Sequence, residues 1–114
     1  ELTKKNKIEF HDNYEKNLET IRILRRKYGI THDDIIDEVK DLILELKIED
    51  YYQGPDNDDN PSRNYIFWKF GKKLFGSEEL YIKLQIEEIK EEKLVCWSFH
   101  YPERPIKYPK KVEG

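Results

Sequence analysis

The sequence predicts an α+β fold: two N-terminal amphipathic helices packed on a small, mainly antiparallel sheet. Three observations predict it. Through residue 50 the apolar positions recur every three to four residues, the period of a helix with one buried face. From residue 64 the period falls to two, the alternation of a half-buried strand. A chain of 114 residues has room for a single domain with one modest core.

Each element has its own justification. "KIEF" (7–10) is a short strand. "DNYE" (12–15) starts the first helix, with Asp12 as cap and Glu15 closing a capping box. That helix runs to about Tyr28 and Gly29 ends it. Tyr14, Leu18, Ile21, Leu24 and Tyr28 make its apolar stripe. Arg22, Arg25, Arg26 and Lys27 crowd its last turns, where positive charge suits the helix dipole and is also compatible with RNA contact. "THDD" (31–34) starts the second helix with Thr31 as cap. Ile35, Val39, Leu42, Ile43 and Leu46 form its buried stripe. Asp37, Glu38, Asp41 and Glu45 face outward, which makes this helix a poor phosphate contact.

"QGPDNDDNPSRN" (53–64) reads as a solvated polar loop. Its Asp56, Asp58 and Asn60 invite a calcium reading, but the sixth position is Pro61 rather than Gly and the twelfth is Phe67 rather than Glu. Strands follow at 64–74, 79–89 and 93–100, joined by a Gly76-Ser77 hairpin turn and by "KEE" (90–92). From about residue 101 the proline-rich "YPERPIKYPKK" reads as an extended tail, edge-packed or frayed.

Composition narrows the classes. Apolar residues make up 37% and charged residues 39%, polar for a globular domain, yet the apolar ones are periodic, which argues against disorder. No apolar run has the length of a membrane span, and no signal-peptide pattern is present. A single cysteine, Cys96, can form neither an internal disulfide nor a thiolate metal site, which fits a reducing cytoplasm. The chain opens on Glu1 and holds no methionine, as expected of a trimmed product. A net charge of −3 argues mildly against nucleic-acid binding, although the distribution of charge matters more than its sum.

Strand register draws the candidate site together. With Lys90 and Glu91 as the turn, Ile86 lies opposite Val95, Leu84 opposite Trp97 and Ile82 opposite Phe99, all apolar. The other face pairs Gln85 with Cys96, Lys83 with Ser98 and Tyr81 with His100. A slip of one residue would mix the two sets. With Gly76 and Ser77 as the preceding turn, Lys72 falls opposite Tyr81 and Phe70 opposite Lys83. That register puts Lys69 on the core side unless a bulge near Gly71 re-aims it, so both lysines stand as candidates.

Such a patch has the parts for metal-free RNA cleavage. A base takes the 2′-hydroxyl proton, positive charge steadies the phosphorane-like transition state, and an acid protonates the leaving 5′-oxygen. His100 exchanges protons near neutral pH, Lys83 and Lys72 neutralise phosphate, and Tyr81 donates a hydrogen bond. The same residue types also make an ordinary solvated sheet face. Other nucleophile readings are poor. Ser98 lacks a flanking glycine elbow, Cys96 sits mid-strand as packing, and His11 (a turn residue) and His32 (in a first helical turn) lack metal-ligand spacing.

"LELKIEDYYQGPDND" (44–58), "WKFGKK" (68–73), "ELYIKLQI" (79–86), "LVCWSFH" (94–100) and "RPIKYP" (104–109), in that order, resemble the MqsR-like mRNA interferase toxins of type II toxin–antitoxin systems. The resemblance spans roughly residues 7–109. It implies a RelE/MqsR-like fold over residues 1–114, metal-independent cleavage of messenger RNA without a cofactor, and silencing by a cognate antitoxin. The strand tyrosine of "YIKL" matches Tyr81. The basic residue after "SF" matches His100, where the best-known branch has lysine. A lysine that follows an aromatic pair in the family falls on Gln53, and a glutamine falls near Trp68 or Lys69. The expected site is therefore Tyr81, His100 and Lys83 for catalysis, with Lys72, Lys69, Gln53 and Arg63 binding RNA. The expected protein is cytoplasmic, free of the membrane and monomeric until its antitoxin binds. The alternative is a non-catalytic RNA- or protein-binding module of the same fold.

Overall fold

A computed structural model of the chain describes residues 8–10, 14–57, 66–87 and 93–110. The elements in chain order are strand β1 (Ile8–Phe10), helix α1 (Glu15–Tyr28), helix α2 (His32–Leu44), a 3-10 turn (Ile48–Asp50), then β2 (Tyr51–Asn57), β3 (Ile66–Leu74), β4 (Glu78–Glu87) and β5 (Lys93–His100). The five strands form one mixed sheet in the order β1-β5-β4-β3-β2, in which β1 runs parallel to β5 and the other pairs are antiparallel. The α+β class, the two helices and the mainly antiparallel sheet stand as read from the sequence.

Both helices pack on one face of the sheet. Ile21 and Leu24 of α1 and Ile35, Val39, Leu42 and Ile43 of α2 join Leu74, Leu80, Ile82, Leu84, Cys96 and Phe99 in one buried cluster. Each fully buried aliphatic side chain contributes about 1.5–3 kcal/mol. The Thr31 cap of α2 is present, as a reciprocal capping box with Asp34.

The start and the buried face of α1 differ from expectation. Tyr14, not Asp12, occupies the cap position and makes no side-chain cap bond; Asp12 lies outside the described residues. Gly29 ends the helix in the left-handed conformation at φ 66°. The buried residues are Asn17, Thr20, Ile21 and Leu24, whereas Tyr14, Leu18 and Tyr28 of the expected stripe are exposed. The reason is the edge of β5. Among the described residues β1 pairs with Leu94 to Cys96, and the β5 backbone beyond is bonded from α1. Asn17 acts like a surrogate strand residue. Its Nδ2 donates to the Trp97 carbonyl at 3.0 Å and its Oδ1 accepts the Phe99 N–H at 3.0 Å. Thr20 Oγ1 accepts the Tyr101 N–H at 3.3 Å.

Three further corrections concern register. The β3–β4 turn has three residues, with Leu74 opposite Glu78 and with Phe75 (φ 56°) and Gly76 (φ 73°) both in the left-handed region. This moves Lys72 opposite Leu80 and Lys69 opposite Lys83. The β4–β5 pairing is as expected from Tyr81 to Lys83, then shifts by one, so that Leu84 faces Cys96 and Gln85 faces Val95. Trp97 is the extra residue of this bulge. Finally, residues 53–57 of the expected 53–64 loop belong to strand β2, paired to β3, and the rest of that loop lies outside the described residues. The expected turn at 90–92 lies outside the described residues.

Candidate functional site

The sheet face opposite the helices carries the candidate site. Tyr81 and Lys83 of β4 lie there beside Ser98 and His100 of β5. Together with Tyr14 and Lys16 of α1, Tyr52 of β2 and Pro102, Glu103, Arg104 and Ile106 of the tail, they line a cleft of about 350 Å³. The tail is held across this face. Gly71, opposite Tyr81, leaves room for it, since a Cβ there would lie within contact of the Tyr108 hydroxyl and 2.8 Å from Ile106 Cδ1. The Tyr108 hydroxyl also donates to Glu79 at 2.6 Å, and Lys16 pairs with Glu103 at the cleft rim.

His100 is the best-defined group in the cleft. Its ring is 5.1 Å from the Tyr81 ring, centroid to centroid, and 6.2 Å from that of Tyr14. Nδ1 lies 2.9 Å from the Tyr101 carbonyl oxygen. A carbonyl only accepts, so Nδ1 carries the proton and the neutral imidazole keeps its lone pair on Nε2. Burial of the ring, to 7% exposure, holds the pKa below the ordinary 6.5. The bond to the Tyr101 carbonyl opposes that shift and the Lys16 charge adds to it. His100 is therefore neutral at pH 7, the state a general base needs.

Tyr81 behaves in the opposite sense. Burial pushes its phenol up to about 12, with Tyr52, Asp56 and Tyr14 adding to the effect. It stays protonated at neutral pH and acts as a hydrogen-bond donor. The Lys83 ammonium stands 4.2 Å from the centre of the Phe67 ring while its side chain lines the cleft.

The expected RNA-binding residues divide. Lys69 and Gln53 come together through Asp56: the ammonium lies 3.1 Å from Asp56 Oδ2, and Gln53 Nε2 donates to the same oxygen at 2.9 Å. Lys72 does not join the patch. It faces away with Leu80 and pairs with Asp50 at 3.1 Å. Arg63, like His11, lies outside the described residues. Cys96 is fully buried in the core, where burial raises its thiol pKa. Among the described residues no group of three His, Cys, Asp or Glu side chains is placed to hold a metal ion, and no helix is long and apolar enough to cross a membrane.

Sequence reasoning missed Tyr14, Lys16, Tyr52 and Tyr101. The two adjacent tyrosines of "YYQ" carried a usable signal, since alternation sends one of them to each face of a strand. Tyr101 carried none, because it meets His100 through a backbone carbonyl. No protein-family model, curated protein or solved structure matches this chain.

Proposed function

We propose that this protein is a metal-independent endoribonuclease, an mRNA interferase toxin of the MqsR/RelE-like kind, acting in the cytoplasm as a monomer until a cognate antitoxin silences it. The observation that carries the reading is the pair of neighbouring rings, a neutral His100 and a protonated Tyr81, in one cleft with Lys83. His100 Nε2 takes the proton from a ribose 2′-hydroxyl. The freed oxygen attacks the adjacent phosphorus, and the bond from phosphorus to the 5′-oxygen breaks. The Tyr81 hydroxyl and the Lys83 ammonium stabilise the extra negative charge of the transition state, and Lys83 donates the proton that the leaving 5′-oxygen requires. The products are a 2′,3′-cyclic phosphate and a 5′-hydroxyl.

The test is RNA incubated with purified protein in EDTA, with fragment ends identified by mass. Cyclic phosphate ends are expected. Removing the base in His100→Ala should slow cleavage by about 10²–10⁴-fold, and Tyr81→Phe by about 10²-fold, with folding intact. Full cleavage by the Tyr81→Phe/His100→Ala double variant would sink the assignment. Salt-dependent RNA binding without products would instead point to a non-catalytic module.

A further inference from the structure

Three separate contacts converge on Tyr101, a residue outside the catalytic set. Its N–H is held by Thr20 Oγ1 of α1 at 3.3 Å. Its hydroxyl donates to Glu78 Oε1 at 2.8 Å. Glu78 is itself buried and fixed, receiving Lys27 Nζ at 3.0 Å and the Ser77 hydroxyl at 3.1 Å. Pro102 follows, and a residue before proline is confined to extended backbone, which limits where the Tyr101 carbonyl can point. That carbonyl accepts His100 Nδ1–H at 2.9 Å. The chain of contacts thus runs from a carboxylate at the start of β4 through a phenol and a peptide carbonyl to the imidazole.

We infer that Tyr101 is a positioning residue that acts through His100: anchored by Glu78 and Thr20, it presents the carbonyl that keeps the imidazole proton on Nδ1 and the lone pair on Nε2. The kinetic part of this inference rests on the ribonuclease reading; the tautomer part does not. Free histidine favours the other neutral tautomer, so a folded chain with the proton on Nδ1 reports the hold directly. The orienting partner of a catalytic histidine works in this way generally, by fixing tautomer and ring orientation without touching the substrate.

The experiment is long-range 1H–15N NMR of the imidazole in the full chain at pH 8, on the wild type and on Tyr101→Phe, Thr20→Val and Thr20→Ser. The wild type should favour Nδ1–H about tenfold. Tyr101→Phe keeps the ring and Thr20→Val keeps the shape, and each should reduce that preference to about threefold or less. Thr20→Ser retains the acceptor and should restore it. In RNA cleavage the two disruptive variants should lose about three- to tenfold in kcat at unchanged KM. A wild type with the proton on Nε2, or a ratio unmoved in both disruptive variants, overturns the inference. The expected tautomers with RNA left uncut by the wild type overturn the ribonuclease reading and leave the Tyr101–His100 linkage standing.

Discussion

Replacing Asn17 by alanine tests how α1 meets the sheet, and its cost can be worked from the contacts. Asn17 is fully buried. It donates to the Trp97 carbonyl and accepts from the Phe99 N–H, each at 3.0 Å. Asn17→Ala strips both backbone groups of this partner, the Phe99 N–H in a buried place and the Trp97 carbonyl in a partly buried one. An unsatisfied buried group costs about 1–3 kcal/mol, so the pair costs about 2–6 kcal/mol, and we expect about 3–5 kcal/mol. A domain of this size has about 5–15 kcal/mol of stability in all. Leu18, part of the apolar stripe expected from the sequence, is 38% exposed. Leu18→Ala opens no closed cavity and should cost about 1 kcal/mol or less. Urea denaturation followed by circular dichroism measures both, compared at equal m-value. The Asn17 variant should also melt about 10 °C or more below the wild type. A Leu18→Ala loss larger than that of Asn17→Ala would refute the reasoning.

Other outcomes follow from the same contacts. His100 is faced by Tyr14 and Lys16 from α1, by Tyr81 from β4 and by Tyr101 and Glu103 from the tail, and its pKa lies below 6.5. Cleavage should therefore rise with pH through a value below 6.5 and then level off, and a rise centred above 7 would contradict a neutral base. The same depression has a stability consequence. Between the folded pKa and 6.5 the unfolded chain binds more protons, so stability should fall as pH drops across that window, read from urea midpoints. Gly71→Val should dislodge Ile106 and Tyr108 and speed tryptic cleavage after Lys107 while β3–β4 amides stay protected from exchange; an unchanged cleavage rate would count against the tail's seat. Lys83→Ala should slow RNA cleavage by about tenfold or more, whereas Lys72→Ala, which breaks the Asp50 pair away from the cleft, should leave the rate within about twofold. Equal losses would restore Lys72 to the site.

The parts of the fold that were legible are those governed by apolar periodicity. Helix α2 buries Ile35, Val39, Leu42 and Ile43 as its spacing requires, and the Tyr81–His100 pair matches the expected register because the Trp97 bulge offsets a register that differs by one residue between Leu84 and Glu87. Periodicity failed where polar groups decide the packing. The α1 face buries Asn17 and Thr20 because they bond the backbone of Trp97, Phe99 and Tyr101, and hydrophobicity carries no record of an edge that needs hydrogen bonds. The Trp97 bulge was illegible for another reason: Leu84 gains an apolar neighbour whether it faces Trp97 or Cys96. Strand β2 was hidden by composition, since Gly54, Pro55, Asp56 and Asn57 read as turn residues although their backbone runs beside β3. That error also concealed Asp56, which gathers Lys69 and Gln53.

The bulge explains how one sheet face serves two purposes. Regular alternation would have sent Trp97 and Val95 to the core with Phe99. With one residue inserted, Cys96 takes the core position and Val95 turns to the open face. There Trp97 donates its indole N–H to Gln85 at 2.8 Å and meets Phe67 edge-on at 5.7 Å. The open face is thus buried at this end, where Phe67 and Val95 pack around the Gln85–Trp97 hydrogen bond, and forms the cleft at the other, with Tyr81 and His100. Lys83 stands at the boundary, its ammonium over Phe67 and its side chain on the cleft. The Trp97 carbonyl at the bulge is the one that Asn17 holds, and the Phe99 amide beside His100 is its second contact. The grip that secures α1 to the sheet therefore holds the β5 backbone on both sides of Ser98, next to His100. Side chains held on paired strands are placed more tightly than side chains on loops, and here the strand that carries His100 is gripped by a polar residue of the same helix that lends Tyr14 and Lys16 to the cleft.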